Sequence, residues 1–385
     1  MKPLHLHIVL SSFNFVAFTG SRLTMMLFAA HLQISPAIIG VLAALFGLFS
    51  AFTAVSVGRW IDRVGPRTPM MLASLMMVAG GLLPFLWREL AALFVVSTVI
   101  GTFNSMFQIA TQQVVGRYGP PEDRASNFSL LSLGTSVATF LGPMIAGLAI
   151  DHLDHASAFL ILAASAFVPL PVIGLGLLTF PARPARQGKP PADTPTGGVI
   201  ALLRDPPLRR IYVAAALNNG VWSVISFLIP LYGVQVGLSA TRIGGIMACF
   251  STATVLVRIA LPVLLRRFRP WQLLVVSQSL VGIAFLGIPV TAHFTLLLAL
   301  SFWMGMGLGL SGPMAISLLY DASPPDRVAE VVGLRVTMAN LCQTFVPLVS
   351  GAVGAAIGVA PVFWAVAAML FADAYSNRDE LQRGR

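Results

Sequence analysis

Three arginines lie inside stretches of the sequence that are otherwise almost entirely apolar. Arg22 lies past the middle of the first stretch, 6–31. Arg258 lies two turns before the end of the eighth, 242–265, and Arg335 lies near the start of the eleventh, 330–357. A guanidinium stays charged at physiological pH and presents a planar fork of donors, which suits a carboxylate or a phosphate. Arg22 is the strongest candidate for contact with an anion because it is the deepest. Arg258 and Arg335 are near enough to the stretch ends to extend to the surface instead.

A second set of polar side chains recurs at helical spacing in the fourth apolar stretch. Asn104, Gln108 and Gln112 follow one another every four residues, which places them on one face of a helix. Polar side chains are costly against lipid, so this face is predicted to line a cavity or, alternatively, to contact another helix. Six further residues are candidates for the cavity wall: Asn14, Asn219, Trp222, Ser226, Asn340 and Gln343.

The acidic residues avoid the apolar stretches. The sequence pattern places all 14 Asp and Glu residues in loops or at helix ends. An enzyme would need a nucleophile, a metal cluster or an acid pair at depth, and the pattern contains none of these. The two cysteines, Cys249 and Cys342, both lie in apolar stretches and predict neither a disulfide framework nor a thiolate metal site. We therefore expect no catalytic residue, no metal and no cofactor.

The composition shows what kind of molecule must position these groups. Only 38 of the 385 residues are charged, 57% are hydrophobic, and the mean hydropathy is +0.85. A soluble domain carries about a quarter charged residues, because its surface must face water. A soluble enzyme, a disordered chain and a nucleic-acid binder are excluded on this ground. The chain is predicted to be an all-α integral membrane protein whose surroundings are a lipid bilayer.

Twelve apolar segments are long enough to cross a bilayer as helices, which takes about 20 residues each. A segment rich in proline, glycine and charge separates them into two sets of six and is predicted to be a solvated linker. The predicted parts are therefore an N-terminal six-helix bundle over 1–180, a linker over 181–210 and a C-terminal six-helix bundle with a short tail over 211–385. The segments are 6–31, 37–57, 69–87, 90–116, 127–150 and 157–180, then 211–236, 242–265, 270–290, 294–320, 330–357 and 359–375.

The basic residues predict one orientation. Placing both termini on the inside puts 19 of the 24 Lys and Arg residues on the cytoplasmic side. This agrees with the excess of positive charge in the cytoplasmic loops of membrane proteins. We expect a multi-pass protein of the plasma membrane, or of the inner membrane if the source is bacterial, with both termini cytoplasmic.

The two sets of six segments carry related motifs. Tyr118 and Arg124 after the fourth segment match Tyr320 and Arg327 after the tenth, at offsets of 202 and 203 residues. A Pro-x-x-x-Gly motif that begins at Pro143 recurs at Pro347, at an offset of 204. Parallel six-helix repeats place a binding site near the membrane midplane between the two halves.

The loop after the second segment reads Gly58-Arg-Trp-Ile-Asp62-Arg63-Val-Gly65-Pro66-Arg67. It resembles the G-x-x-x-D-R-x-G-R-R loop motif of the major facilitator superfamily, with Pro66 at a position that is usually basic. Together with twelve segments, a central linker and the repeat, the resemblance covers essentially the whole chain. It implies that Asp62 pairs with basic groups near the fourth segment, where Arg117 and Arg124 are available, and with a helix N-terminus of the other half. Such a latch would hold the inside gate shut.

Two further motifs bear on gating in such a family. Ala138-Thr-Phe-Leu-Gly142-Pro143-Met-Ile-Ala146-Gly147 is similar to the G-x-x-x-G-P-x-x-G-G motif of exporting antiporters, with alanine at two glycine positions, so ordinary packing is an equal alternative. The arginine that proton-coupled members often carry in the fourth helix is missing. Gating is predicted to depend on Gly58, Asp62, Arg63, Gly65, Arg67, Arg117, Arg124, Gly142, Pro143, Gly147, Pro313 and Pro347.

The resemblance implies a secondary transporter that works by alternating access. Our main expectation is export of a small organic solute, coupled to a proton or to an exchanged anion, by a monomer that binds no nucleic acid. Uptake or exchange of an organic anion is the alternative, because the arginines are deep and the acids are not. In that family Arg258 and Arg335 would bind solute or brace the gate. A membrane sensor without flux and a membrane-embedded enzyme are the alternatives of another class.

Overall fold

The computed structural model describes residues 3–118, 124–180, 205–322 and 328–378. These residues form thirteen α-helices and one short 3-10 helix, Ile288–Val290. The helices of the N-terminal half are α1 (Pro3–His31), α2 (Pro36–Val64), α3 (Arg67–Leu86), α4 (Leu90–Val115), α5 (Arg124–His152), α6 (His155–Phe167) and α7 (Pro169–Gly174). Those of the C-terminal half are α8 (Pro206–Gln235), α9 (Ala240–Leu264), α10 (Pro270–Gly287), α11 (Phe294–Ala322), α12 (Val328–Ile357) and α13 (Ala360–Ser376).

The predicted all-α membrane architecture is confirmed. Among the described residues, eleven helical stretches are long and apolar enough to cross a membrane, and α13 is a shorter apolar helix. The sixth stretch, His155–Gly174, contains both α6 and α7, because Pro169 interrupts the helical hydrogen bonding after Val168. Of the predicted linker, residues 181–204 lie outside the described residues, and α8 already begins at Pro206. The boundaries of the predicted bundles stay a prediction.

The second helix is longer than predicted. The sequence pattern ends it at residue 57, whereas α2 continues through two more turns to Val64. Gly58, Asp62 and Arg63 therefore lie on a helix and not in a loop. Gly65 ends the helix with a φ of 87°, a conformation that favours glycine because it has no Cβ. The apolar pattern fades before the helix ends, since this last part projects beyond the most apolar region.

Helix packing defines two halves and two contacts between them. In the N-terminal half, α1 packs on α4, α5 and α6, while α4 packs on α2 and α3. In the C-terminal half, α11 packs on α9 and α10, and α10 packs on α13. The halves meet chiefly where α5 contacts α9 and where α12 contacts α2. We call the end of the bundle where α1 begins the linker face and the opposite end the far face.

Glycines let the halves approach within backbone contact at the far face. A Cβ atom at Gly244 of α9 would lie 2.4 Å from the carbonyl oxygen of Pro143 on α5, and one at Gly40 of α2 would lie 2.6 Å from that of Pro347 on α12. Gly40 and Gly244 are 204 residues apart, as are Pro143 and Pro347. The same contact is therefore made twice, once in each direction between the halves.

We expect Gly244→Ala to weaken closure at the far face. Its methyl group would overlap the Pro143 carbonyl, and overpacking of this kind costs about 1–3 kcal/mol. Gly245→Ala is the matched control, because a Cβ atom there is 4.0 Å from its nearest neighbour, an atom of Phe294. The measurement is the labelling rate of a cysteine introduced at Ala240, at the far-face start of α9. Labelling should be faster in Gly244→Ala only, and equal rates in both variants would contradict the packing argument.

Candidate functional site

A carboxylate from one half caps a helix of the other at the far face. Asp151, in the last turn of α5, accepts hydrogen bonds from the backbone N–H groups of Ala240 (3.0 Å) and Thr241 (2.7 Å) at the start of α9. The Thr241 hydroxyl in turn donates to the carbonyl oxygen of Gly147, at 3.2 Å. A negative charge at a helix N-terminus satisfies unpaired N–H groups and interacts favourably with the helix dipole. We call this set of contacts the far latch.

The second contact between the halves lacks this charge. The residue 204 positions after Asp151 is Ala355, and the counterpart of Ala240 is Pro36, the first residue of α2. Proline has no backbone N–H, so this helix start lacks one of the two donors that Asp151 binds on α9. A Cβ atom at Gly351 would lie 2.6 Å from the Pro36 carbonyl oxygen, so among the described residues this contact is one of close backbone packing.

Two cavities lie in the half of the bundle toward the linker face. The portal cavity, about 750 Å³, lies between α5, α9 and α11, with Ser136, Arg258 and Pro313 in its wall. The inner cavity, about 410 Å³, lies between α1, α4 and α5. Ser132 lines both cavities, so they adjoin. Both cavities therefore lie on the opposite side of the bundle from the close contacts at the far face.

The predicted polar face of α4 supplies one wall of the inner cavity. Gln108 and Gln112 line it opposite Phe15 of α1. Asn104 is one turn deeper and only 6% exposed. The Oδ1 atom of Asn104 and the Nε2 atom of Gln108 are buried without a hydrogen-bond partner among the described residues. A buried amide left unpaired costs about 1–3 kcal/mol, so these atoms need water or a bound solute.

Arg22 lies on α1 and is not among the lining residues of either cavity. It is seven residues after Phe15, which keeps it on the same helical face about 10 Å closer to the far face. The side chain is half-buried, and its Nε atom is buried without a hydrogen-bond partner. No carboxylate of the described residues forms an ion pair with it. An unpaired guanidinium at this depth is ready to bind an anion.

Arg258 lies at the boundary between the portal cavity and the closed part of the bundle. Its Nη1 atom is 3.5 Å from the hydroxyl oxygen of Ser136 on α5, at the outer limit of a hydrogen bond. Its Nε atom is buried and unpartnered within the described part of the chain. Thus two of the three predicted arginines combine partial burial with free donors.

Four of the other predicted cavity residues make contacts within their own half. Asn14 is fully buried and lies 3.5 Å from the Ser74 hydroxyl of α3. In α8, Asn219 donates to the Ala215 carbonyl and Ser226 to the Trp222 carbonyl, both at 2.8 Å. The Trp222 ring meets Phe250 edge-on at 4.9 Å. The described cavities do not include these four residues in their walls.

Three predicted site residues, Asn340, Gln343 and Arg335, lie on α12. Asn340 is half-buried, and its carbonyl accepts a hydrogen bond from Thr344 at 3.1 Å. Gln343 is exposed and lies close to Gly47 of α2. Arg335 is half-buried and is engaged with a neighbour, so it is not a free cation. Their contact with solute stays a prediction.

Comparison with known proteins identifies the family. Residues 9–341 match the family model of the Major Facilitator Superfamily, which spans most of the chain. The chain belongs to the major facilitator superfamily. A curated relative in this superfamily, the uncharacterized MFS-type transporter YfkL of Bacillus subtilis (strain 168), is 22% identical over 309 residues, which cover 78% of this chain and 76% of the relative.

Solved structures of superfamily transporters share the fold over nearly the whole chain. A bacterial homolog of the human lysosomal transporter Spinster, in an inward-facing and occupied conformation, matches with a TM-score of 0.77 at 14% identity and covers 98% of this chain and 97% of its own. A mutant of the nucleoside transporter NupG gives 0.80 at 15% identity, covering 98% and 99%. A mutant of the peptide transporter POT gives 0.78 at 18%, covering 99% and 94%. At these identities the likeness shows the fold alone.

In the superfamily loop motif, the side chain of Arg67 makes a hydrogen bond to another helix of the same half. Arg67 begins α3, and its Nη2 atom donates to the carbonyl oxygen of Gly174 at the end of α7, at 2.8 Å. This contact holds the N-terminal half together, since both partners belong to it. Arg117 is engaged with a neighbour. The predicted pairing of Asp62 with Arg117 or Arg124 is untested and stays a prediction.

The two glycines of the α5 motif, Gly142 and Gly147, face different neighbouring helices. A Cβ atom at Gly142 would lie 2.9 Å from the backbone nitrogen of Gly20 on α1, and one at Gly147 would lie 2.5 Å from the Ala240 carbonyl oxygen on α9. Pro143 and Pro347 contribute the carbonyl oxygens of the two far-face contacts, and Pro313 lies in the portal cavity. The small residues therefore serve close packing, and one flank of that packing is between the halves.

Several polar residues of the structure were missed by the sequence analysis. Ser129, Ser132 and Ser136 of α5 lie in the portal cavity wall, and their spacing of three and four was a helical signal that could have found them. The far latch at Asp151 had no such signal. Its partner is a backbone 89 residues away along the chain, and only the packed structure shows it.

A polar network also lies inside the C-terminal half. The Ser311 hydroxyl donates to the Asn218 side-chain oxygen, and Gln278 of α10 donates to the Asp373 carboxylate at 2.5 Å. The sequence pattern placed Asp373 at a helix end, and it is indeed one turn before the end of α13. Its partner Gln278, however, is only 4% exposed, so this carboxylate reaches into the bundle more than the pattern suggested.

Outside the membrane-spanning segments, hydrogen bonding shifts the pKa of Asp154 and burial shifts the pKa of Tyr118. Asp154 accepts from the Ser157 backbone N–H at 2.6 Å and pairs with Arg88 at 3.2 Å, and the Ser157 hydrogen bonds chiefly hold the pKa of its carboxyl below the usual range. Burial raises the pKa of Tyr118, whose hydroxyl donates to the Thr179 carbonyl at 2.6 Å. Both contacts are within the N-terminal half, so Asp154 is a natural control for the far latch.

We expect Asp151→Ala to loosen the far face. It leaves the N–H groups of Ala240 and Thr241 without their acceptors, and loss of a cap costs about 0.5–2 kcal/mol. Asp154→Ala removes a cap of similar geometry that does not join the halves. Both should lower the melting temperature. Only Asp151→Ala should increase the population with a wide α5–α9 separation at the far face, measured as a spin-label distance. The same distances in both variants would show that the far latch does not hold the halves.

Proposed function

We propose that this protein is a secondary transporter that moves a small organic solute carrying an anionic group across the membrane by alternating access. The single observation that carries the proposal is Arg22, half-buried near the middle of the bundle with no carboxylate partner among the described residues. Burying a charge is costly unless it is paired, so the group is best explained by a partner that arrives from outside the chain.

The residues that line the cavities favour a solute with a negative charge. The inner cavity offers the amides of Gln108 and Gln112, and the portal cavity offers three serine hydroxyls and Arg258. The amides, the guanidinium and the Ser129 and Ser132 hydroxyls can donate hydrogen bonds, whereas the Ser136 hydroxyl already donates to the Ser132 carbonyl. The described lining residues of the two cavities include no Asp or Glu. A lipophilic cation would find no counter-charge in these walls.

The residues that line the cavities also limit which ion can be coupled to transport. A proton carrier needs a group that binds and releases a proton, and arginine cannot do so because it stays charged. Exchange of one anion for another, or a proton site elsewhere such as Asp373, is consistent with these walls.

Export is favoured over uptake by the resemblance of the α5 motif to that of exporting antiporters. The plasma membrane and cytoplasmic termini remain part of the proposal, supported by the distribution of basic residues.

We expect Arg22→Gln to weaken stabilisation of the purified protein by anionic solutes. The probes are a mono-, a di- and a tricarboxylate and a phosphate monoester, beside two lipophilic cations, with the melting temperature as the readout. Loss of a hydrogen bond to a charged group costs about 1.5–3 kcal/mol, which is roughly a 10- to 100-fold increase in Kd. Without solute, Arg22→Gln should melt at the same or a higher temperature, because the variant no longer buries an unpaired charge.

Arg88→Gln is the control, because Arg88 pairs with Asp154 in an exposed position at the far face. It should leave the response to every anion intact. Arg22→Lys should restore part of the response, since it keeps the charge but not the planar fork. Stabilisation by the cations and by none of the anions would defeat the proposal.

A further inference from the structure

The helices α5 and α9 are in contact over only part of their length. From the far face, contact runs through the far latch and the Pro143–Gly244 approach to Ser251, whose hydroxyl donates to the Thr139 carbonyl at 3.3 Å. Closer to the linker face, the Nη1 atom of Arg258 is 3.5 Å from the Ser136 hydroxyl oxygen. Below it, toward the linker face, the portal cavity separates the two helices. The result is a slot that is closed at its upper end by Arg258.

The slot borders a groove on the outer surface of the bundle. An apolar groove of about 370 Å³ lies along the outside of the N-terminal half, between α1 and α5. It shares Leu130 and Leu133 with the portal cavity. Leu133 is 47% exposed, and Val9 and Phe13 of the groove are also exposed. Exposed apolar side chains on a membrane-spanning helix face the acyl chains of lipid.

The slot also leads inward. Ser132 lines both the portal cavity and the inner cavity, where Gln108 and Gln112 are found. The groove, the slot and the inner cavity are therefore neighbours along α5. This order defines a candidate route from the lipid-facing surface to the interior of the bundle.

The two ends of the route differ in chemistry. The groove is apolar, with Leu130, Leu133 and Phe13 in its wall, whereas the slot carries serine hydroxyls and the Arg258 guanidinium. The buried Nε atom of Arg258 has no partner among the described residues. In this position an anionic group would receive charge-assisted hydrogen bonds, while an attached chain could stay in the groove.

We propose that the α5–α9 slot is a lateral entrance for an amphiphile with one anionic head and an apolar chain. Arg258 binds the carboxylate or phosphate head, and the α1–α5 groove holds the chain. The solute enters from the membrane leaflet on the linker-face side. This inference rests on the proposed function and narrows it from organic anions to anionic amphiphiles.

The test compares three probes on the full-length protein in lipid nanodiscs, with empty nanodiscs subtracted. Dodecanoate has the predicted head and chain, butyrate has the head alone, and dodecyltrimethylammonium has the chain with the opposite charge. We expect dodecanoate to bind at least ten times more tightly than either of the others. Binding no stronger than its partition into empty nanodiscs would overturn the proposal.

Two variants separate the parts of the site. Leu133→Trp fills the point where groove and slot join, and it should raise the Kd for dodecanoate at least fivefold while leaving butyrate unaffected. Val276→Trp is the control, an exposed apolar position on α10 away from the slot, and it should change neither. Equal effects of the two tryptophans on dodecanoate would contradict a lateral entrance.

Arg258→Gln should weaken dodecanoate binding about tenfold, with partial recovery in Arg258→Lys. This result also separates the two proposals. If dodecanoate binds no better than butyrate and both depend on Arg22, the lateral entrance is wrong and the anion transporter stands. If no anion binds and the cationic amphiphile does, both proposals fail.

Discussion

The structure depends on the backbone contact between the halves at the far face. Proline carbonyls of α5 and α12 meet glycines of α9 and α2, at Pro143–Gly244 and Pro347–Gly40. In a membrane the association of helices relies on close packing, because lipid is as apolar as the side chains. Small residues at these two points allow that packing, and both cavities lie on the opposite side of the bundle from it.

The contact is symmetric in packing but not in charge. Asp151 caps the start of α9, whereas α2 begins with Pro36, which has no N–H, and Ala355 stands at the position equivalent to Asp151. The N–H groups at a helix start must be satisfied, and a solvent-exposed start would use water for this purpose. The far latch thus makes one of the two contacts depend on a polar interaction that must break and be replaced by water when the halves separate.

The gross architecture could be predicted from the sequence because length and apolarity decide it. A segment of about 20 apolar residues has few stable forms in a bilayer other than a helix. Finer features were less accessible. The end of α2 and the break at Pro169 depend on where the helices leave the most apolar region and on local backbone geometry.

The rotation of each helix about its axis was harder still to predict. Asn14 and Phe15 are neighbours on α1, yet Asn14 is buried toward Ser74 and Phe15 lines the inner cavity. Since apolar residues cover nearly every face of these helices, the sequence pattern does not reveal which side meets the cavity. The polar face of α4 was predictable, because its amides repeat at helical spacing and two of them line the inner cavity.

The most direct test of the account is a pair of spin-label distances in one protein, one across α5 and α9 at the far face and one across the same helices at the linker face. Alternating access predicts two populations in which one distance lengthens as the other shortens, with the balance shifted by a bound anion. Distances that stay fixed with and without anion, or that lengthen together, would contradict it.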